Sequence, residues 1–152
     1  MKLNSFKKLD GKKLNIAIVQ ARFNREITDK LTKGAVRGLR QAGVKPDKIS
    51  LFKIPGAFEI PYLCQKLAQA KKYHGIITIG AVIKGQTAHF EYISQAAING
   101  VMQVMLEKEL PIALGIITAF NPAQAKARSR DNQANKGYEA ALALVEMILN
   151  YK

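Results

Sequence analysis

The sequence predicts an α/β protein in which a four-stranded parallel sheet lies between two layers of helices. Four short apolar runs are continuous and rich in Ile and Val, as strands buried on both faces usually are. Segments with helical periodicity lie between these runs and after the last one. Strands that alternate with crossover helices run parallel, so we expect a flavodoxin-like three-layer sandwich.

The predicted elements alternate along the chain. The strands are residues 14–19, 49–54, 75–83 and 111–118, and the helices are residues 26–42, 58–70, 89–108, 122–129 and 136–150. Helical spacing predicts the buried stripe of the third helix, which comprises Phe90, Ile93, Ala97, Val101 and Val104. The same spacing predicts the buried face of the last helix, which comprises Tyr138, Ala141, Leu142, Val145 and Leu149. Pro122 suits the first turn of the fourth helix.

Length and composition indicate one ordered domain over residues 1–152, with residues 1–12 as an N-terminal arm or edge strand. The chain is 48% apolar and has five prolines. Cys64 is its only cysteine, which excludes an internal disulfide, and it lies in an apolar helical pattern typical of core. The sequence shows neither a membrane-spanning apolar run nor a secretory signal. We therefore expect a cytoplasmic protein without a membrane partner.

Basic residues outnumber acidic ones, 24 to 11, and the formal net charge is +13. Lys12, Lys13, Lys71 and Lys72 flank predicted strands, where solvated charge is usual, so ordinary surface charge is the favoured interpretation. A nucleic-acid partner would call for stacking aromatics or a reading helix beside the basic residues, and neither is apparent. The two histidines and one cysteine have no metal-ligand spacing, and His74, in a polar connection, is predicted to be exposed and inert.

The segment GAVIKGQTAHFEYI, residues 80–93, runs from an apolar strand through a small-residue turn into a helix. Backbone N–H groups of Gly85, Gln86 and Thr87 can bind a phosphate there, because the start of a helix favours negative charge. Thr87 can cap the helix. His89 follows closely, where a histidine could move protons, although a first-turn histidine is often only a surface residue.

Other candidate residues also follow the carboxyl ends of predicted strands, where ligands bind in open α/β sheets. Phe23 is either part of the core or a platform for a ligand. Glu59 is either a favourable carboxylate in a first helical turn or a group that binds hydroxyls. Lys84 is either a solvated turn residue or a second positive charge near the anion.

Four motifs in order give the chain a specific resemblance over about residues 14–150. Together with ARFN at 21–24, PGAFEIP at 55–61 and NKG at 135–137, the segment 80–93 resembles the 6,7-dimethyl-8-ribityllumazine synthase family of riboflavin biosynthesis. The resemblance implies that 5-amino-6-ribitylaminouracil condenses with 3,4-dihydroxy-2-butanone 4-phosphate, releasing phosphate and water. It implies no cofactor. A flavin or pterin carrier and a basic nucleic-acid-binding module are the rival interpretations.

The resemblance also implies roles for particular residues. Phe23 would stack on the pyrimidine, His89 would transfer protons and Arg128 would clamp the phosphate, with its neighbours Lys126 and Arg130 as alternatives. The other substrate-binding residues that it implies are Ala57, Phe58, Glu59, Ala81, Val82, Ile83, Gly85, Gln86, Thr87, Leu114 and Lys136. Of these, Ala57 and Glu59 would lie near the ribityl chain, and the backbone of Val82 and Ile83 would bind a uracil edge.

A homopentamer with active sites shared between adjacent subunits is implied as well. Leu114, Arg128 and Lys136 would come from the neighbour of the subunit that supplies Phe23, Glu59 and His89. Whether pentamers assemble into a sixty-subunit shell stays open. The segments 119–122 and 129–134 depart from the usual family pattern, and Leu114 replaces a frequent aromatic residue, so the lining of the phosphate end is open too.

Overall fold

The computed structural model describes residues 8–151. A parallel sheet in the order β2-β1-β3-β4 is formed by β1 (Ile16–Ala21), β2 (Ile49–Ile54), β3 (Gly75–Ile83) and β4 (Ile112–Ala119). The helices are α1 (Arg25–Gln41), α2 (Ile60–Gln69), α3 (His89–Lys108), α4 (Pro122–Arg128) and α5 (Lys136–Tyr151). Short 3-10 turns at Pro46–Lys48 and Ala57–Glu59 precede β2 and α2. The predicted fold is therefore confirmed, and each predicted element is present.

The register of the strands opens a gap at one edge of the sheet. Pairing of β1 with β3 starts at Ile16 and Gly75 and stops at Gln20 and Ile79. Pairing of β3 with β4 continues as far as Ile83. The end of β3 thus has a strand on one side only. The strand order reverses between β1 and β3, which is the position where open α/β sheets form a ligand crevice.

Two apolar cores cover the two faces of the sheet. On one face, Ile18 and Ile77 pack with Leu31 of α1 and Val145 of α5. On the other face, Val19 packs with residues of α2 and α3, including Cys64 and Val101. Cys64 is fully buried, and burial raises the pKa of its thiol to about 12. The prediction that Cys64 belongs to the core is confirmed.

The prediction that the strands are buried on both faces is confirmed for the central strands β1 and β3 and is wrong for the edge strands β2 and β4. Leu51 of β2 is 46% exposed and Leu114 of β4 is 48% exposed, because each strand has a neighbour on one side only. The prediction for Leu149 was also wrong. Leu149 is 42% exposed, since the helical turn after Val145 directs Ile148 into the core instead. Phe90 and Ile93 are half-buried, near the start of α3.

His74 is half-buried, so the prediction that it is exposed was wrong. Its Nδ1 accepts a hydrogen bond from the Asn15 N–H at 2.8 Å, and its own N–H donates to the Asn15 carbonyl at 2.8 Å. The pair extends the contact between β1 and β3 at the amino edge of the sheet.

Residues 8–12 form no strand, and Gly11 N–H donates to the Ala42 carbonyl at 2.7 Å. Residues 1–7 lie outside the described part of the chain, so an edge strand there stays a prediction. Within residues 8–151, none of the helices combines the length and the apolar character that crossing a bilayer requires.

Candidate functional site

A crevice of about 560 Å³ lies at the carboxyl edge of the sheet, between the ends of β1 and β3. Its lining includes ten residues that the sequence predicts to bind substrate or transfer protons: Phe23, Ala57, Phe58, Glu59, Ala81, Val82, Ile83, Gly85, Thr87 and His89. They come from three separate strand ends and are brought together because parallel strands finish at one edge. Gln86 does not line the crevice.

Phe23 forms an exposed wall of this crevice, so it is not the core residue of the alternative interpretation. Phe23 is 72% exposed. The turn that carries it is tied to the end of β2, since Arg22 N–H donates to Ile54 O at 2.8 Å and Phe23 N–H to Pro55 O at 3.0 Å. The backbone of Phe23 is therefore held while its ring stays accessible.

Asn24 also lines the crevice, although the sequence pattern had not marked it as a site residue. It adopts a left-handed conformation, with φ 55° and ψ 47°, at the start of α1. Its Nδ2 donates to the Ala81 carbonyl of β3 at 2.8 Å. The available sequence signal was an asparagine in a turn, because asparagine tolerates positive φ. Its hydrogen-bond partner, the Ala81 carbonyl, could not be predicted from sequence.

The first two turns of α1 are anchored to the end of β1 by a buried amide. Gln20 is 1% exposed, and its Nε2 donates to Asp29 Oδ1 at 2.7 Å and to Thr28 Oγ1 at 3.3 Å. The hydrogen bond from Gln20 is the main cause that lowers the pKa of Asp29, and the nearby Arg25 lowers it further.

Glu59 shows the local role that its position in a first turn predicts. Its Oε2 accepts a hydrogen bond from Gly56 N–H at 2.9 Å, which closes the short turn before α2. The carboxylate remains exposed at the crevice, so binding of substrate hydroxyls is compatible with this bond. Beside it, Ala57 is buried and Phe58 is 60% exposed.

The turn from Gly85 to Thr87 presents backbone donors. Among the described residues, no hydrogen bond uses the N–H groups of Gly85, Gln86 or Thr87. The N-cap of α3 is Ala88, so Thr87 does not occupy the capping position, although its Oγ1 accepts a long bond of 3.4 Å from His89 N–H. His89 is exposed at the first turn of α3, next to these donors.

Lys84 pairs with Glu91, which neither interpretation of this lysine included. Its Nζ lies 3.0 Å from Glu91 Oε1 and 5.8 Å from the ring centre of Phe120. The hydrogen bond from Lys84 is the main cause that lowers the pKa of Glu91. Phe120 packs on Phe90 with ring centres 6.2 Å apart. These contacts link the turn to α3 and to the end of β4.

Three predicted site residues lie away from the crevice. Leu114 and Lys136 line a second hollow of about 360 Å³, next to β4 and α5, and Arg128 lies exposed at the end of α4. In this hollow Lys136 Nζ is 2.7 Å from Oε2 of Glu139, whose side chain is only 14% exposed. Sequence reasoning missed Glu139, although its spacing of three residues from Lys136 on a helix was an available signal.

The NKG motif has a structural centre in Asn135, which is 1% exposed. Its Oδ1 accepts from Gly137 N–H at 2.9 Å and from Tyr138 N–H at 3.2 Å, at the start of α5. Its Nδ2 donates to Lys30 O at 3.2 Å and to Arg130 O at 3.0 Å. One buried amide therefore joins α1, the connection 129–135 and α5.

Chemically, the crevice combines an exposed aromatic face, a carboxylate, backbone donors and a histidine. Among residues 8–151, there is no group of three or more His, Cys, Asp or Glu residues that could hold a metal ion. The arrangement suits a polar heterocycle with an anion beside it, and the histidine next to the donor turn can transfer protons.

Comparison with known proteins agrees with this geometry. The family model described as 6,7-dimethyl-8-ribityllumazine synthase matches residues 13–152. A curated relative named 6,7-dimethyl-8-ribityllumazine synthase, from Desulfovibrio desulfuricans, is 44% identical over 140 residues, which cover 92% of this chain and 90% of that protein.

Proposed function

This chain belongs to the 6,7-dimethyl-8-ribityllumazine synthase family, and we propose that the crevice between β1 and β3 is the pyrimidine half of its active site. The protein is a transferase of riboflavin biosynthesis. It condenses 5-amino-6-ribitylaminouracil with 3,4-dihydroxy-2-butanone 4-phosphate and forms the lumazine, with release of phosphate and water.

The observation that carries the assignment is the placement of an exposed aromatic ring, a carboxylate and a histidine around one crevice. Phe23 offers a face on which a pyrimidine can stack, which is worth about 1–3 kcal/mol for bases on aromatic side chains elsewhere. Glu59, next to Ala57 and Phe58, accepts hydrogen bonds from the ribityl hydroxyls. The end of β3, at Ala81, Val82 and Ile83, borders the heterocycle.

The phosphate binds at the turn before α3. The N–H groups of Gly85, Gln86 and Thr87 are at the start of a twenty-residue helix, whose dipole favours an anion. A guanidinium adds two parallel hydrogen bonds to phosphate oxygens, which makes Arg128 the better clamp than a lysine. Lys84 is already paired with Glu91 and mainly supports the turn.

His89 serves proton transfer in each step. The 5-amino nitrogen attacks the ketone carbon, and loss of water leaves an imine. Removal of the proton from the adjacent hydroxyl-bearing carbon breaks the C–O bond to phosphate and leaves an enol. Protonation of the terminal carbon of this enol gives a new ketone, and attack of the ribitylamino nitrogen on that ketone closes the ring with loss of water. Each of these steps moves a proton on or off nitrogen, carbon or oxygen, and a positioned imidazole accelerates such transfers. Holding two reactants together supplies the larger share of the acceleration.

A neighbouring subunit supplies Leu114, Arg128 and Lys136, in a homopentamer. The support is that these residues lie away from the crevice of their own chain, with Leu114 exposed on the edge strand β4. Glu139 holds the Lys136 ammonium at 2.7 Å. The number five rests on the family resemblance. The active site is then complete only where two subunits meet.

The proposed function is tested by mixing purified protein with both substrates and following lumazine absorbance together with inorganic phosphate. We expect the two products to appear in equal amounts. Each substrate alone serves as the control and should give no lumazine. Absence of lumazine from the complete mixture would overturn the assignment.

A further inference from the structure

Asn24 joins the turn that carries Phe23 to the end of the neighbouring strand. Pairing between β1 and β3 stops at Gln20 and Ile79, yet β3 continues to Ile83. Beyond this point a side chain replaces the strand: Asn24 Nδ2 donates to the Ala81 carbonyl at 2.8 Å. The amide thus takes the position that a backbone N–H of β1 would occupy if the ladder continued.

The backbone of Asn24 is specialised for this contact. With φ 55° it adopts the left-handed conformation, which few residues other than glycine adopt readily. Its carbonyl accepts from Ile27 N–H at 2.9 Å and from Thr28 N–H at 3.1 Å, so it starts α1. An asparagine at this position usually binds the first helical amides with its side chain, but this one makes no such bond. The side chain is used across the sheet instead.

The direction of the β3 backbone shows what the contact borders. Ile76 and Lys84 donate their N–H groups to Pro111 O and Ala119 O, on the β4 side. The Ala81 carbonyl faces the β1 side. Because successive strand residues direct these groups to opposite edges, Val82 faces β4 and Ile83 faces the gap that β1 leaves. Asn24 lies between Phe23 and this open end of β3.

We propose that Asn24 is a positioning residue that sets the spacing between the Phe23 ring and the end of β3, and so the fit of the pyrimidine between them. Asn24 directly follows Phe23 in the chain, and its side-chain amide is hydrogen-bonded to Ala81 on the opposite wall of the crevice. Losing that bond lets the turn and the strand end move independently, which weakens pyrimidine binding without removing any group that touches the reacting atoms. The inference rests on the proposed function of the crevice.

Two substitutions separate the hydrogen bond from the backbone conformation. Asn24→Gly keeps the left-handed turn, because glycine adopts positive φ freely and is tolerated at the start of helices. Asn24→Asp keeps the size and the turn preference of asparagine, but its carboxylate has no N–H to donate and faces a carbonyl oxygen. Asn15→Gly is the matched control. Asn15 lies at the amino edge of β1, and its side chain makes a marginal contact of 3.5 Å with Lys72 O.

The measurements are the Kd of 5-amino-6-ribitylaminouracil alone, the KM of each substrate, kcat and the thermal midpoint. For Asn24→Gly we expect a roughly three- to tenfold higher Kd and KM for the pyrimidine, since one net hydrogen bond is lost. The kcat and the KM of the butanone phosphate should stay close to wild type. Asn24→Asp should weaken the pyrimidine more, and Asn15→Gly should change only the thermal midpoint.

Unchanged pyrimidine Kd in both Asn24 variants would overturn the proposal and leave Asn24 with a structural role only. A larger increase of the pyrimidine Kd in Asn24→Gly than in Asn24→Asp would overturn it as well. Pyrimidine binding would then depend on the stiffness of the backbone and not on the hydrogen bond of the amide. Phe23→Ala, measured in parallel, distinguishes a failure of the Asn24 proposal from a failure of the proposed function of the crevice. If Phe23→Ala also binds the pyrimidine normally, the proposed use of the crevice fails first.

Discussion

The side-chain amide of Asn135 occupies the space that a side chain on Gly34 would need. A Cβ at Gly34, on α1, would overlap Oδ1 of Asn135. That oxygen is held by Gly137 N–H and Tyr138 N–H, so it cannot move aside without leaving two amides at the start of α5 unpaired. The contact fixes the distance between α1 and α5 at the point where the chain turns towards Lys136.

Gly34→Ala should therefore destabilise the protein. We expect a loss of about 1–3 kcal/mol in the free energy of unfolding, as is typical of overpacked sites. Urea unfolding at a fixed protein concentration measures it. Gly85→Ala is the matched control for stability, since a Cβ there has nothing within 4 Å. Equal stability of the two variants would show that the Asn135 amide adapts to the added methyl group.

His89→Ala should lower turnover by at least about tenfold, the weak end of general acid–base effects. Pyrimidine binding and the thermal midpoint should stay near wild type, because the side chain is exposed and makes no core contact. Steady-state rates across neutral pH, with the pyrimidine Kd, test both statements. If turnover is unchanged at every pH, His89 has no part in the mechanism.

Phe23→Ala should weaken pyrimidine binding by roughly 1–3 kcal/mol through lost stacking. Little change in stability is expected, since Phe23 is 72% exposed. Equilibrium binding of the pyrimidine and thermal unfolding separate the two effects. A lower thermal midpoint with normal pyrimidine affinity would show that Phe23 stabilises the fold and is not a platform for the pyrimidine.

Arg128→Ala should raise the KM of the phosphate-bearing substrate more than that of the pyrimidine. Loss of a charge-assisted hydrogen bond typically costs about 1.5–3 kcal/mol. Lys126→Ala and Arg130→Ala are matched controls from the same basic stretch and should change neither KM greatly. If Arg130→Ala or Lys126→Ala gives the larger effect, the clamp has been assigned to the wrong cation.

Mixed oligomers test the shared site. His89→Ala and Arg128→Ala subunits are each defective alone, but when they are unfolded together and refolded, some interfaces combine an intact His89 with an intact Arg128. We expect activity above that of either variant, and sedimentation should show a pentamer. Refolding each variant by itself is the control. Activity that never exceeds the two separate variants, or an active monomer, would contradict sharing.

The predicted elements agree closely with the observed ones because their signals are local. The run from Gly75 to Ile83 and the periodicity from His89 to Lys108 predict β3 and α3 with the ends that the structure shows. Errors occur where burial depends on neighbours. Leu51 and Leu114 belong to edge strands, which local sequence does not distinguish from central ones, and Leu149 fell one residue beyond the buried face of α5.

For the candidate site residues too, features that depend on local position were predictable and contacts between distant segments were not. Position after a strand end predicted that the segments carrying Phe23, Glu59 and His89 meet at one edge of the sheet, and these residues line one crevice there. It could not show that Lys84 would pair with Glu91, or that His74 would bond to the backbone of Asn15. Those pairs depend on how the segments pack in three dimensions, and hydrophobic periodicity along the chain carries no information about that packing.

The sequence by itself determined the order of strands and helices, the carboxyl-edge location of the motifs and the family to which they belong, because periodicity and turn residues act over a few positions. Only the tertiary structure decided which distant groups meet. Asn24 finds the carbonyl of Ala81, 57 residues away, and Asn135 finds that of Lys30, 105 residues away. An amide can bond to any accessible carbonyl, and closure of the sheet and packing of the helices select one partner among them.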